Sequence, residues 1–159
     1  MSGHNSAEIT VTVNGHTNQC NVPVRLNLVD FLREHLGLTG THVGCEHGIC
    51  GSCHVQVDGN VVRGCLMFAV QADGADIVTI EGLSTSGEAA DLQANFVLYN
   101  AMQCGFCTSG MIWSAYELLK TNPSPDREHV RIALSGNFCR CTGYQSIIDA
   151  VMETASERS

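Results

Sequence analysis

Basic residues are scarce: 8 Lys+Arg stand against 16 Asp+Glu, a formal net charge of -8. The isoelectric point is near 5.2. A chain of this kind lacks the basic patch that phosphate recognition needs, so nucleic-acid binding is excluded. No apolar run approaches the roughly 18 residues of a membrane helix, and no membrane span is expected. The first residues, MSGHNSAE, carry neither a basic n-region nor an apolar h-region, so no secretory signal is expected. Also missing are a GxGxxG dinucleotide loop, a phosphate loop and any nucleophile–base constellation. The 159 residues fit one ordinary domain or two small ones and leave no room for a large substrate-binding core. What the chain has in excess is cysteine, nine in all. A cytoplasmic location is expected, where disulfides are rare. Metal binding is then the first explanation to test.

The hydrophobic pattern divides the chain in two. Residues 9–13 (ITVTV) alternate as a half-buried strand does. Asn14-Gly15 predicts a tight hairpin turn into a second strand from His16 to Val22. Leu28, Phe31, Leu32, His35 and Leu36 recur at helical spacing, with Asn27 placed to cap the start and Gly37 to end the helix. A loop rich in Gly and Cys covers residues 44–53, and Asp58-Gly59 predicts a second hairpin between strands at 55–57 and 61–62. Residues 77–80 are expected to close this half as a last strand. A polar connector, residues 82–87, follows. Beyond it the period is helical: Leu92, Phe96 and Tyr99 share one face, and Ile112, Ala115, Tyr116 and Leu119 another. Ser124-Pro125 predicts an N-cap and first helical position for a third helix reaching about Leu134. Tyr144, Ile147, Ile148, Val151 and Met152 mark a fourth. The expected fold is α+β, with units at residues 1–82 and 83–159.

Eight of the cysteines form two sets of four. Cys45, Cys50, Cys53 and Cys65 are spaced C-x4-C-x2-C-x11-C, and Cys104, Cys107, Cys139 and Cys141 are spaced C-x2-C-x31-C-x-C. Four thiolates are what a tetrahedral zinc ion or an iron–sulfur cluster requires. The C-x4-C-x2-C run is the plant-type ferredoxin spacing for a 2Fe–2S cluster. Such a cluster is anionic, so the backbone must come close and offer N–H groups to its sulfurs. Gly44, Gly48 and Gly51 alternate with the ligands and suit that role. The second spacing, taken by itself, fits zinc as well as iron. There the elements CTSG (107–110) and CTG (141–143) each precede a predicted helix. Two helix N-termini aimed at one site would favour an anionic cluster.

Several residues have plainer readings. His42, His47 and His54 are expected to be solvated or hydrogen-bonded rather than ligands, because four cysteines already complete the shell. Cys20 reads as a small packing residue of a strand. Phe96, Tyr99, Met111 and Tyr116 read as core. Arg140, between two cysteines, either stabilises a reduced cluster or pairs with a surface carboxylate.

The runs GCEHGICGSC (44–53), QCGFC (103–107) and NFCRCTGY (137–144), with Cys65 between them, resemble the iron–sulfur subunit of the xanthine oxidase family of molybdenum hydroxylases. The resemblance extends from about Ile9 to Val151. It implies an N-terminal β-grasp, ferredoxin-like 2Fe–2S domain followed by a C-terminal four-helix-bundle 2Fe–2S domain, with all eight cysteines as ligands. It also implies molybdopterin, in its plain or cytosine dinucleotide form, on a large partner subunit, and FAD on a medium one. The assembly implied is a dimer of heterotrimers. Gln103 matches a family glutamine that hydrogen-bonds the pterin, and Cys141 matches the ligand whose sulfur approaches the pterin amino group. The implied reaction hydroxylates a carbon centre with oxygen from water, electrons leaving through molybdenum, the two clusters and FAD. His54 stands where many members carry Thr.

Two other readings compete. A free-standing two-cluster ferredoxin would be stable alone and polar on its bundle surface. A zinc-stabilised interaction module would be colourless.

Overall fold

Residues 5–158 are described in the computed structural model. Strands β1 (Ser6–Val13) and β2 (His16–Pro23) pair antiparallel, with Val13 opposite His16. Asn14 and Gly15 take φ of 52° and 79° between them, the turn that the Asn-Gly pair predicts. Ile9, Val11 and Val13 turn into the core while Glu8 and Thr10 face out, as alternation requires. Helix α1 (Leu28–Asp30) begins where Asn27 Oδ1 accepts the Asp30 N–H at 2.8 Å. It widens at once into a π-helical turn over Phe31–His35, in which the Leu36 N–H reaches the Phe31 carbonyl at 3.3 Å. Gly37 ends it with φ 70°.

Three short strands complete the sheet: β3 (His54–Val57), β4 (Asn60–Arg63) and β5 (Asp76–Val78). The order is β2-β1-β5-β3-β4, with β5 parallel to β1 and antiparallel to β3. Its apolar face covers Leu28, Phe31 and Leu32, all fully buried, so α1 and the sheet share one core. Cys20 packs against that core as a partly buried strand residue.

Helices fill the remainder: α2 (Ile80–Ser86), α3 (Ala90–Leu98), α4 (Thr108–Thr121), α5 (Arg127–Leu134) and α6 (Gln145–Glu157). The chain is therefore α+β. Helix α4 is central. It lies on β3 and β4 with one side and packs on α3 and α5 with others. Its Met111, Trp113 and Ala115 are consequently fully buried. Phe96 and Tyr116 are core as expected, and Tyr99 donates its hydroxyl to Glu153 at 3.0 Å.

Two expectations are corrected. The last strand stops at Val78, and Ile80 opens α2, so residues 82–87 are mostly helix rather than connector. The Ser84 and Thr85 hydroxyls donate back to the carbonyls of Ile80 and Glu81 at 2.8 and 2.9 Å. A polar stretch thereby stays helical. The third helix is capped by Asp126, which accepts the His129 N–H at 2.8 Å, and not by Ser124. Pro125 thus precedes the cap instead of opening the helix. No helix among the described residues is long and apolar enough to cross a membrane.

Candidate metal centres

All nine cysteines are free. The first set gathers where the 44–53 loop meets a 3₁₀ turn, Gly64–Leu66, which follows β4. The Gly64 N–H donates to the Cys53 carbonyl at 3.0 Å and brings Cys65 beside Cys53. The Ile49 and Cys50 N–H groups point at Cys45 Sγ, 3.3 and 3.4 Å away. Burial pushes the Cys45 thiol up, but the donors from Cys50, His47 and Ile49 outweigh it and hold the thiol at about 6. This loop is built to favour a thiolate there. Cys53 is the opposite case: burial pushes it up to about 12, with the neighbouring Cys65 and Cys50 adding to the rise. It is a thiol that ionises only if a cation replaces its proton.

The three glycines divide their labour. A Cβ on Gly44 would sit 2.9 Å from Cys50 Sγ, so this position is bare to let backbone approach sulfur. Gly48 and Gly51 have φ of 77° and 72°. Their added carbons would meet Leu66 in one case and Asn137 in the other, rather than a sulfur.

The second set lies at the N-terminal end of α4 and in the 137–144 loop. Cys107 is the buried N-cap residue of α4; Cys104 and Cys141 are exposed, with sulfurs 3.5 Å apart. Burial pushes the Cys107 thiol up to about 12, and neighbouring Cys139 adds to that. Cys139 Sγ lies 3.2 Å from the Thr142 hydroxyl. Burial raises the Cys139 thiol, yet the bonds from Thr142 win and leave it below the usual value. Gln103 is exposed beside Cys104.

In each set the thiols meet in pairs: Cys45 with Cys50 and Cys53 with Cys65, Cys104 with Cys141 and Cys107 with Cys139. Among the described residues, no three His, Cys, Asp or Glu side chains converge tightly enough for a single ion. Such pairs fit a two-iron cluster, which Cys45, Cys50, Cys53 and Cys65 would hold in the first set and Cys104, Cys107, Cys139 and Cys141 in the second, two thiolates to each iron. The buried hydroxyls of Thr108 and Ser109, next to Cys107, have no hydrogen-bond partner among the described residues. They suit a group that brings acceptor sulfur into that site.

The two sets are joined. The N–H of Phe138, which precedes Cys139, donates to the Cys50 carbonyl at 2.9 Å. Asn137 Nδ2 donates to the Gly51 carbonyl at 3.4 Å, and Ser114 bonds both Asn137 and His54, at 2.8 and 3.1 Å. His42 stacks on Phe106 at 4.8 Å between ring centroids. His47 bonds the Cys45 carbonyl. The histidines are thus hydrogen-bonded structural groups, and His54 is buried between the halves. Sequence reading missed this junction; the asparagine lay inside a run already singled out, but nothing local marked its partner on β3.

The comparisons agree with the geometry. Residues 11–78 match the 2Fe-2S iron-sulfur cluster binding domain family, and residues 79–152 match a second 2Fe–2S binding domain family. The chain is 51% identical over 150 residues to the nicotine 6-hydroxylase small subunit of Paenarthrobacter nicotinovorans, covering 94% of this chain and 90% of that one. It belongs to the iron–sulfur small subunits of the xanthine oxidase family of molybdenum hydroxylases. A second member, caffeine dehydrogenase subunit gamma of Pseudomonas sp. (strain CBB1), is 50% identical, over 95% of this chain and 90% of that one. Among solved structures, quinoline 2-oxidoreductase from Pseudomonas putida 86 superposes with a TM-score of 0.91 at 47% identity, covering 97% of this chain and 96% of the matched one. Within this family the chain is the iron–sulfur subunit of an oxidoreductase complex.

Proposed function

We propose that this subunit carries electrons from molybdopterin on a large subunit, by way of two 2Fe–2S clusters, to FAD on a medium subunit. Cys45, Cys50, Cys53 and Cys65 hold the first cluster; Cys104, Cys107, Cys139 and Cys141 hold the second. The observation that carries this reading is the junction between two paired-thiol sites, where Phe138 N–H donates to the Cys50 carbonyl at 2.9 Å. One hydrogen bond thus separates backbone adjoining one ligand set from backbone of the other, which suits two centres in series. The reading divides the chain at residues 1–82 and 83–159, with α2 straddling the division and α3 to α6 as a four-helix bundle. The sheet half is read as a β-grasp.

The exposed sulfur pair Cys104–Cys141, with Gln103 beside it, is the end that faces the pterin. Phe106 and Phe138, next in sequence to cysteines of that set, are exposed where the two sets adjoin. Apolar side chains at such a rim favour a bound partner over a free-standing carrier. The assembly is read as a dimer of heterotrimers in the cytoplasm that hydroxylates a carbon centre with oxygen from water. Relatives named for nicotine and caffeine, and a structure named for quinoline, support N-heteroaromatic rings as the substrate class.

Native anaerobic purification tests this. Molybdenum, FAD and two larger chains are expected to copurify, with two distinct paramagnetic 2Fe–2S signals after full reduction. Cys104→Ser or Cys139→Ser removes one signal and keeps the other. Absence of inorganic sulfide, or one signal only, sinks the reading. Turnover of aldehydes but of no N-heteroaromatic ring sinks the substrate class alone.

A further inference from the structure

The 137–144 loop contains a polar arrangement that ligand spacing does not account for. Tyr144 takes φ 68°. An aromatic residue is an outlier in that region and persists only where its surroundings hold it. Three bonds do so. Its N–H donates to Thr142 Oγ1 at 3.1 Å, its hydroxyl accepts the Cys139 N–H at 3.0 Å, and the same hydroxyl donates to the Asn137 carbonyl at 3.1 Å. The ring therefore spans the loop that carries Cys139 and Cys141.

Thr142 completes the device. A hydroxyl has one proton and two lone pairs. With the Tyr144 N–H directed at a lone pair, the proton is free for Cys139 Sγ, 3.2 Å away. A ligating thiolate has no proton of its own, so the bond runs from oxygen to sulfur. We infer that Thr142 sets the reduction potential of the second centre through this O–H···S bond, and that Tyr144 is the positioning residue that holds it there. The inference rests on the cluster reading above. A reduced cluster is more negative than an oxidised one and gains more from the donor, so the bond raises the potential. The residue in the corresponding place after Cys107 is Thr108, whose hydroxyl has no partner among the described residues.

The test is a redox titration of the complete enzyme, prepared without air and followed by electron paramagnetic resonance. Cys139→Ser assigns the second signal. Thr142→Val is expected to lower the midpoint potential of that signal and leave the first centre unchanged, and Thr142→Ser to restore it. Tyr144→Phe keeps the backbone donor but loosens the loop, and should lower the same potential by less while altering that signal's g values. An unchanged midpoint in Thr142→Val overturns the inference, as does an equal shift of both centres. If Thr142→Val loses the second centre outright, Tyr144→Phe decides: wild-type potential and g values there overturn it. A missing second signal in the unmodified enzyme overturns the cluster reading itself, and is told apart because no substitution is involved.

Discussion

Gly51 shows most clearly what the junction demands of a single position. It has φ 72°, and an added Cβ would come within 2.5 Å of Asn137 Nδ2 and 2.7 Å of the Gly136 carbonyl. The amide could swing aside; the backbone oxygen could not. Gly59, in the β3–β4 turn, has φ 80° and nothing within 4 Å of the same added atom. Alanine at either site meets the left-handed backbone cost of roughly 1–2 kcal/mol. At Gly51 overpacking adds about 1–3 kcal/mol more. Gly51→Ala should therefore lower the thermal midpoint well beyond Gly59→Ala and disturb both cluster signals, while Gly59→Ala leaves the signals intact. Equal losses of stability would contradict the account. The grouping of eight cysteines into two sets was legible because the runs at 45–53, 104–107 and 139–141 each carry a short local spacing. The demand on Gly51 was not, because it comes from Gly136 and Asn137, which only folding brings near.

Helix α4 can start against the first cysteine loop only because Gly110 has no side chain: a Cβ there would lie 2.1 Å from the Gly51 carbonyl oxygen and 3.1 Å from Ser52 Cα. Helix propensity alone favours Ala over Gly by about 1 kcal/mol. Here the clash is with backbone, so Gly110→Ala should destabilise the protein despite that gain, which thermal unfolding would register. Elsewhere, Arg158 after α6 grips Asp91 in the first turn of α3, with a 2.6 Å contact and side chains 27% and 37% exposed. The Arg158 guanidinium hydrogen-bonds Asp91 and holds its carboxyl below the usual range. A carboxyl lowered in the folded state contributes stability above its unfolded value, near 4, and loses it as pH falls through the folded value. Arg158→Ala should cost about 0.5–1 kcal/mol at neutral pH. The gap from wild type should close as pH falls through the lowered folded value of Asp91; a gap that persists in stronger acid would mean lost packing rather than lost charge. Strand turns were readable at this scale because Asn14-Gly15 and Asp58-Gly59 carry their own conformational requirement. Helix α2 was not, since hydroxyls that bond a helix's own carbonyls look like a linker in composition. The π-helical turn at Phe31–His35 has no sequence mark at all.

Over the whole molecule, the exposed large apolar side chains lie in part beside the cysteine sets. Phe138 and Phe106, 54% and 46% exposed, adjoin cysteines of the second set, while Ile49 and Leu66, 47% and 63% exposed, adjoin those of the first. Phe68, 49% exposed, follows soon after Cys65. Single exposed apolar residues are ordinary, but pairs of them beside each cysteine set are where, on the proposed path, two different partners would come close. If the large subunit covers the second end and the medium subunit the first, a charge placed at one end should release one partner only. Completing the burial of a half-exposed Phe is worth about 1 kcal/mol, and the buried charge adds a penalty. Each substitution should then weaken its own contact by roughly tenfold or more. Phe138→Glu is expected to lower the molybdenum content of the purified complex while FAD and both cluster signals remain, because the Phe138 bond to Cys50 is made by backbone. Phe68→Glu should do the reverse, lowering FAD and sparing molybdenum. Loss of FAD from Phe138→Glu and of molybdenum from Phe68→Glu would reverse the order of carriers inferred from the exposed Cys104–Cys141 pair, and loss of both partners from either substitution would mean that one subunit spans both ends.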